Sequence, residues 1–432
     1  MKLHRLEKFY AAVLLVIFGG IVLHAPLSVG LGVLFPDYSL LIKSWKEILM
    51  VLLVPMACLL VSRHKLWPEL ARDWVFRLIV AYVALHGIVI AVLYKGLLAT
   101  MAGLAIDLRY ILFFSLAYVL LRIRPDYRRR MLFVAVVGAA VVVSFGVLQL
   151  FLPADILKYI GYSTKTIVPY LTVDQNHAFI RINSTLRGPN PVGAYAIIVL
   201  ALLASWFAYR QTWFKTSLRK WLFGVTAMAS LIVLWISYSR SAYIGALAAL
   251  GIVLATTVGR RLSMRWWIIG CVVVCALIGG VLATKGSSFV SNTLLHENPN
   301  GGSSVSSNDG HAQSLQTGLS DLLRHPFGSG VGSTGSASLY SDSPTIIENQ
   351  YLLIGHETGW LGIILFMPLF VAILVRAWRG RRDWLVLGVF ASGVGLAIIG
   401  LLLPVWVDDT VSIIWWGLAA IALASLKTKA TS

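Results

Sequence analysis

The chain has 432 residues, 58% of them hydrophobic and 12% charged, with a formal net charge of +18. This composition excludes the two or three soluble domains that length alone would suggest, and it puts most of the chain in lipid. Cys58, Cys271 and Cys275 all fall in apolar runs, so their spacing reads neither as a disulfide framework nor as a zinc site.

A spanning helix needs about 20 mostly apolar residues. Twelve stretches meet that need, near 9–27, 40–62, 75–94, 97–121, 131–152, 191–209, 220–238, 242–259, 266–284, 350–375, 384–404 and 410–426. The first follows a basic start (Lys2, Arg5, Lys8), as a secretory leader would. It is long and has no clear small-x-small cleavage site, so it is expected to stay as a helix. Orientation follows from Lys and Arg. With the N-terminus in the cytoplasm, the cytoplasmic segments are 1–8, 63–74, 122–130, 210–219, 260–265, 376–383 and 427–432. Counting Arg77 and Lys220 just inside their helices, these hold 25 of the 36 basic residues. The positive charge is thus topogenic and suited to anionic headgroups rather than to nucleic acid. Both termini are expected in the cytoplasm.

The expectation is one transmembrane domain over residues 1–432, with two external loops at 153–190 and 285–347. The second is rich in Ser, Gly and Asn, and its backbone could not go unpaired in lipid. Within it, Asn308 or Asp309 can cap a helix starting near Gly310, with Leu315, Leu319, Leu322 and Leu323 as its apolar stripe. Pro326 ends that helix. Residues 286–308 read either as a lid or as a solvated loop. His311, near the helix start, is a candidate base or a structural hydrogen-bonding residue. His325 reads as a surface turn residue and His356 as a packed one.

Eleven basic residues depart from the charge rule: Lys43, Lys46, Lys95, Arg109, Lys158, Lys165, Arg181, Arg187, Arg240, Lys285 and Arg324. Ionisable groups at membrane depth are costly and usually face a protein interior or cavity. Arg187 stands in Arg187-Gly188-Pro189-Asn190-Pro191, where an external loop meets a helix. Arg240 stands at a tight turn, Ser237-Tyr238-Ser239-Arg240-Ser241. Guanidinium is permanently charged, and its planar fork fits phosphate oxygens. Arg181, Arg187, Arg240 and Arg324 could hold a diphosphate. They could equally pair with Asp174, Asp309 or Glu348, or with headgroups. The outer face offers no carboxylate set with metal-ligand spacing, and Asp408-Asp409 reads as the end of a helix, so no metal and no cofactor are expected.

Four motifs in order resemble those of O-antigen ligases and related polysaccharide polymerases. They are Arg187-Gly188-Pro189-Asn190-Pro191, Ser239-Arg240-Ser241-Ala242, Pro326-Phe327-Gly328-Ser329-Gly330-Val331-Gly332, and Glu348-Asn349-Gln350-Tyr351-Leu352 with Glu357-Thr358-Gly359-Trp360-Leu361-Gly362. Glu348 stands where ligases typically carry a histidine before Asn349, so His311 or Glu348 itself is the candidate for that role. An acidic residue there is also common in the polymerases.

The resemblance implies an all-α, GT-C-like membrane glycosyltransferase of about 12 transmembrane helices, its large periplasmic loop containing short helices. It implies a glycan donor on undecaprenyl diphosphate and, as acceptor, lipid A-core in a ligase or a growing glycan in a polymerase. In that reading Arg181, Arg187, Arg240 and Arg324 meet the diphosphate, and His311 and Glu348 are catalytic. Gly330, Gly332 and Asn349 shape turns. The competing class is a transporter or flippase, which tends to show repeated halves and midplane polar residues. Here no repeat is evident, and polarity gathers at one face.

Overall fold

The computed structural model describes residues 2–173, 176–210, 215–259, 283, 287, 290, 307–341 and 344–426. The expected helix near 266–284, most of the expected lid at 286–308, and Asp174, Cys271, Cys275 and Lys285 lie outside the described residues. The other eleven expected spans are helices. In chain order the longer ones are α1 (Lys2–Gly20), α2 (His24–Leu34), α3 (Trp45–Arg63), α4 (Trp74–Val92), α5 (Leu97–Ile123), α6 (Tyr127–Leu148), α7 (Pro189–Tyr209), α8 (Ser217–Ile236), α9 (Arg240–Thr257), α10 (Ser307–Arg324), α11 (Gln350–Arg379), α12 (Trp384–Gly400) and α13 (Asp409–Ala424). The chain is an all-α polytopic membrane protein. Among the described residues, nine helical stretches are long and apolar enough to cross a bilayer, α1 and α2 counting as one.

Two expected spans come out shorter. α12 has 17 residues and α13 has 16. Pro404 cannot donate to a helix ladder, and Asp408 starts a new helix by accepting the Val411 N–H at 2.9 Å. The stretch between them is irregular, and side chains from other helices satisfy it. Asn349 Nδ2 donates to the Leu401 carbonyl at 2.7 Å, Gln350 Oε1 accepts the Trp406 N–H at 2.8 Å, and Arg109 donates to the Val407 carbonyl. Irregular backbone at this depth survives only where protein supplies such partners.

α13 is the axis of the bundle. Residues 409–423 are all buried, and the helix packs along α5. Trp406, Trp415 and Trp416 pack in tilted and edge-on contacts among Tyr110, Phe114 and Phe370. α7, α9 and α12 form a second sheaf, closed by small residues. A Cβ on Gly245 would lie 2.8 Å from the Gly395 carbonyl, so the α9–α12 crossing needs glycine on both sides.

The basic helix ends meet at one end of the bundle. Arg122 pairs with Glu69 at 2.7 Å, Arg124 with Glu7 at 3.2 Å, and Arg376 with Asp73 at 2.7 Å. The opposite end carries the α8–α9 turn, the start of α11, and a two-stranded antiparallel sheet of β1 (Leu171–Val173) and β2 (Asn176–Arg181).

α11 is broken inside its length. Gly359 takes φ 69° and ψ −168°, which only glycine adopts readily. The loop after α10 fills the break: Ser329 and Gly330 donate N–H to the carbonyls of His356 and Glu357, and Pro326 accepts the Trp360 N–H.

Candidate active site

α10 starts at Ser307, earlier than expected, so Asp309 lies in the first turn rather than at the cap. Its packed face is also not the expected leucine stripe. Of those leucines only Leu322 is buried, while Leu315, Leu319 and Leu323 are exposed. The face turned inward runs His311, Ser314, Gly318 and Leu322, at helical spacing. Gly318 is what lets α10 approach: a Cβ there would sit 3.2 Å from Leu352 and 3.3 Å from Ile347.

This register brings the two candidate catalytic residues together. His311 Nδ1 lies 2.6 Å from Glu348 Oε2, and both side chains remain more than a third exposed, at 36% and 39%. The Glu348 N–H donates to Ser314 Oγ at 2.9 Å, which fixes the segment leading into α11 against α10. The hydrogen bond from His311, opposed by partial burial, holds the Glu348 carboxyl below its usual value. Asn349 then caps α11, its Oδ1 accepting from Tyr351 and Leu352 at 2.9 and 3.0 Å.

The arginines sort by position. Arg181 ends β2. It donates to the Ser237 carbonyl at 2.9 Å and to Asn190 Oδ1 at 2.6 Å, tying the α8–α9 turn to the start of α7. Arg240 is the first residue of α9 on that same turn and is half-buried. The turn is tight: Tyr238 has φ 47°, and a Cβ on Gly193 of α7 would meet Ala242 and Ser237 at 2.7 and 2.9 Å. Arg187, just before α7, is exposed and stands within electrostatic reach of Asp408 and Tyr162. Arg181, Arg187 and Arg240 thus ride on elements that meet. Arg324 does not join His311: it is the last residue of α10, about 20 Å along the helix at 1.5 Å per residue.

Gly330 and Gly332 serve close backbone approach. With φ of 104° and 85° they pass against α5 and the end of α4, and a Cβ on Gly332 would overlap the Ala99 carbonyl. His325 is exposed, and His356 is buried with Nδ1 3.8 Å from Asp321.

Two of the off-rule cations have a different use. Lys46 Nζ lies 3.1 Å from both Asp409 Oδ2 and Glu47 Oε1, and Arg109 pairs with Asp409 and with Glu47. His24 Nε2 is 2.8 Å from Asp409 Oδ2. The acidic pair does not end a helix as expected: Asp408 caps the start of α13, and Asp409 beside it is the buried hub of an ionic cluster. The clue in the sequence was Lys46 and Arg109 off the charge rule; their partner was not identifiable from spacing. Also unread was a second buried set, His86, Asp107 and Glu357, joining α4, α5 and α11. No group of three His, Cys, Asp or Glu among the described residues could hold a metal ion.

Residues 225–367 match the Wzy_C family, described as O-antigen ligase. That match, over about a third of the chain, supports a likeness of this segment to the O-antigen ligase and polymerase superfamily. The matched segment holds Arg240, His311, Arg324, Gly330, Gly332, Glu348 and Asn349, whereas Arg181 and Arg187 precede it. No curated protein matches the chain. The apolar helices make this a multi-pass membrane protein, and the matched family is one of glycosyltransferase-like enzymes that implies a lipid-linked glycan substrate.

Proposed function

We propose that the protein is an O-antigen ligase that moves a polysaccharide from undecaprenyl diphosphate to a sugar hydroxyl of lipid A-core, without a metal, at the periplasmic face of the inner membrane. The observation that carries this reading is the 2.6 Å contact of His311 with Glu348 at the end of the bundle bearing the arginine elements. In this reading the Glu348 carboxylate, 2.6 Å from His311 Nδ1, holds the proton on that nitrogen. That leaves the Nε2 lone pair as base, the division of labour by which a carboxylate sets an imidazole's tautomer.

The acceptor hydroxyl gives its proton to Nε2 while its oxygen bonds to the donor's anomeric carbon. The bond from that carbon to the diphosphate breaks, and its electron pair leaves with the lipid diphosphate. Charge grows on that leaving group, and Arg187 and Arg240 are the preorganised cations that receive it, with Arg181 fixing the turn that presents Arg240. Arg324 is too far along α10 to share the base's task. The second reading, a polymerase extending a lipid-linked O-antigen or exopolysaccharide, uses the same steps with a growing glycan as acceptor; Glu348 in place of the ligases' usual histidine favours it. The test is incubation of purified protein with lipid-linked glycan and lipid A-core. Glycan appearing on lipid A-core supports the ligase; elongated lipid-linked glycan alone supports the polymerase; neither product removes both.

A further inference from the structure

α10 has three sides, and each differs in chemistry. At about 100° per residue, His311, Ser314, Gly318 and Leu322 share one side, which packs on α11. About 60° to 140° further round in one direction come Leu315, Leu319, Ala312 and Leu323. All four are exposed, the leucines at 49%, 48% and 65%. In the other direction come Asp321, Thr317, Arg324 and Gln313, polar throughout. A helix between protein and water needs only a packed side and a polar one. A second apolar side calls for an apolar surrounding.

The neighbouring elements fix its height. After the break at Gly359, α11 continues over residues 360–379, about 30 Å at 1.5 Å per residue, which is the thickness of the hydrocarbon core. Its last turn holds Arg376 and Arg379 at the basic end of the bundle, so the break marks the opposite boundary of the core. A second helix marks the same level: Gly330 of the loop after α10 lies against the Leu93 carbonyl and Lys95, just past the end of the 19-residue α4. α10 approaches this boundary beside the first turns of α11. His311 meets Glu348, and a Cβ on Gly355 would lie 3.0 Å from Leu322. Phe327, 76% exposed, then sits against Gly359. Trp360, Leu361 and Ile364 follow as exposed side chains of the spanning part of α11. The charges exposed at this level are Arg324, His325 and Lys95, while Asp321 lies 3.8 Å from His356. Exposed cations beside aromatic and aliphatic side chains at a core boundary complement lipid phosphates above acyl chains.

We propose that α10 is an interfacial helix, its Leu315, Leu319 and Leu323 side and Phe327 seated in bilayer lipid, with Arg324 and Lys95 at the level of the phosphates. The occupant is bulk phospholipid, because this side leads through Phe327 to the lipid-facing surface of α11. The seat gives Arg324 and Lys95, both off the charge rule, a use that the transfer steps do not. It also sets the height of the His311–Glu348 pair above the hydrocarbon core.

The test uses the full-length protein in nanodiscs of phosphatidylethanolamine and phosphatidylglycerol. In a chain carrying Cys58→Ser, Cys271→Ser and Cys275→Ser, a nitroxide is attached at Leu315→Cys, Thr317→Cys, Leu319→Cys, Leu323→Cys or Phe327→Cys. Its accessibility to oxygen and to a water-soluble nickel chelate is then measured. The apolar face of an interfacial helix is buried about 5–10 Å into the boundary of headgroups and acyl chains, so the oxygen-to-nickel ratio should be at least about threefold higher at 319, 323 and 327 than at 317. The ratio should also rise from 315 to 327. High nickel accessibility at 319 and 323 as well as at 317 would place the leucines in water. Low accessibility to both reagents at 319 and 323 would show them covered by protein. Either result overturns the proposal. If the cysteine-free chain does not fold, a benzophenone side chain at position 323 of the otherwise wild-type chain decides: adducts with phospholipid support the seat, and adducts with protein alone, or none, overturn it. Neither measurement needs a transfer assay, so the seat stands or falls apart from the proposed reaction.

Discussion

Lys46 and Arg109 on one side, and Arg187 on the other, all lie away from the basic end of the bundle, yet they are built in opposite ways. Lys46 is 2% exposed, and it and Arg109 both face Asp409 and Glu47. Arg187 is exposed, and among the described residues no acid lies within ion-pair distance of it. Arg240 opens a helix on a tight turn, half-buried. A cation sealed against its own carboxylates offers little to a ligand, because replacing those partners means uncovering buried charge. An exposed cation such as Arg187 keeps its field for whatever anion arrives. The comparison teaches that being off the charge rule marks a residue for explanation, and burial then divides structural cations from candidate ligand-binding ones.

The largest effect should come from breaking the sealed cluster. Asp409→Ala leaves Lys46 and Arg109 without their shared acid and should cost about 3–5 kcal/mol of stability. Thermal unfolding in detergent checks it, and a wild-type midpoint would dissolve the contrast between the two sets. His311→Ala should lower transfer by about 10²–10⁴-fold, the contribution of a positioned base, with the fold intact. Steady-state kinetics on lipid-linked donor reads this directly.

At the rim, Arg187→Ala and Arg240→Ala should each lower transfer by about 10²–10³-fold. Arg→Lys should also impair it, because the fork is lost while the charge stays. If both hold one diphosphate, the double variant falls short of additive loss. A well-folded double variant with near-normal transfer would take the diphosphate site out of the account.

A smaller effect concerns acid. The Glu348 carboxyl sits below its usual 4.5 because His311 hydrogen-bonds it. A depressed folded value means the contribution is present above the unfolded pKa and is lost as pH falls through the folded one. Solvent screens the pair, so it should be worth about 0.2–1 kcal/mol. Glu348→Gln should therefore flatten the stability profile only below about pH 4.5, and a difference that persists unchanged to lower pH would disprove the linkage. The smallest expected effect is that of EDTA, which should leave transfer unchanged; loss restored by magnesium or manganese would show a metal dependence the residues do not suggest.

Much of this was legible in the sequence. Apolar runs near the bilayer length marked eleven helices, since lipid leaves the backbone no alternative. Lysine and arginine spacing marked one basic end. His311 and Glu348 were both visible as candidates, each for its own reason. Their contact was not, because Ser314 and Gly318, rather than the leucines, set the rotation of α10 on α11.

The sequence by itself determined the class of molecule, its helices, and the residue types able to handle a diphosphate, because these depend on local composition and on the chemistry of single side chains. Only the tertiary structure decided which charges neutralise one another. Asp409 meets Lys46 across 363 positions of chain and Asp73 meets Arg376 across 303. Such pairs form because burial at membrane depth penalises any unmatched charge, and that penalty acts between helices that no local pattern relates.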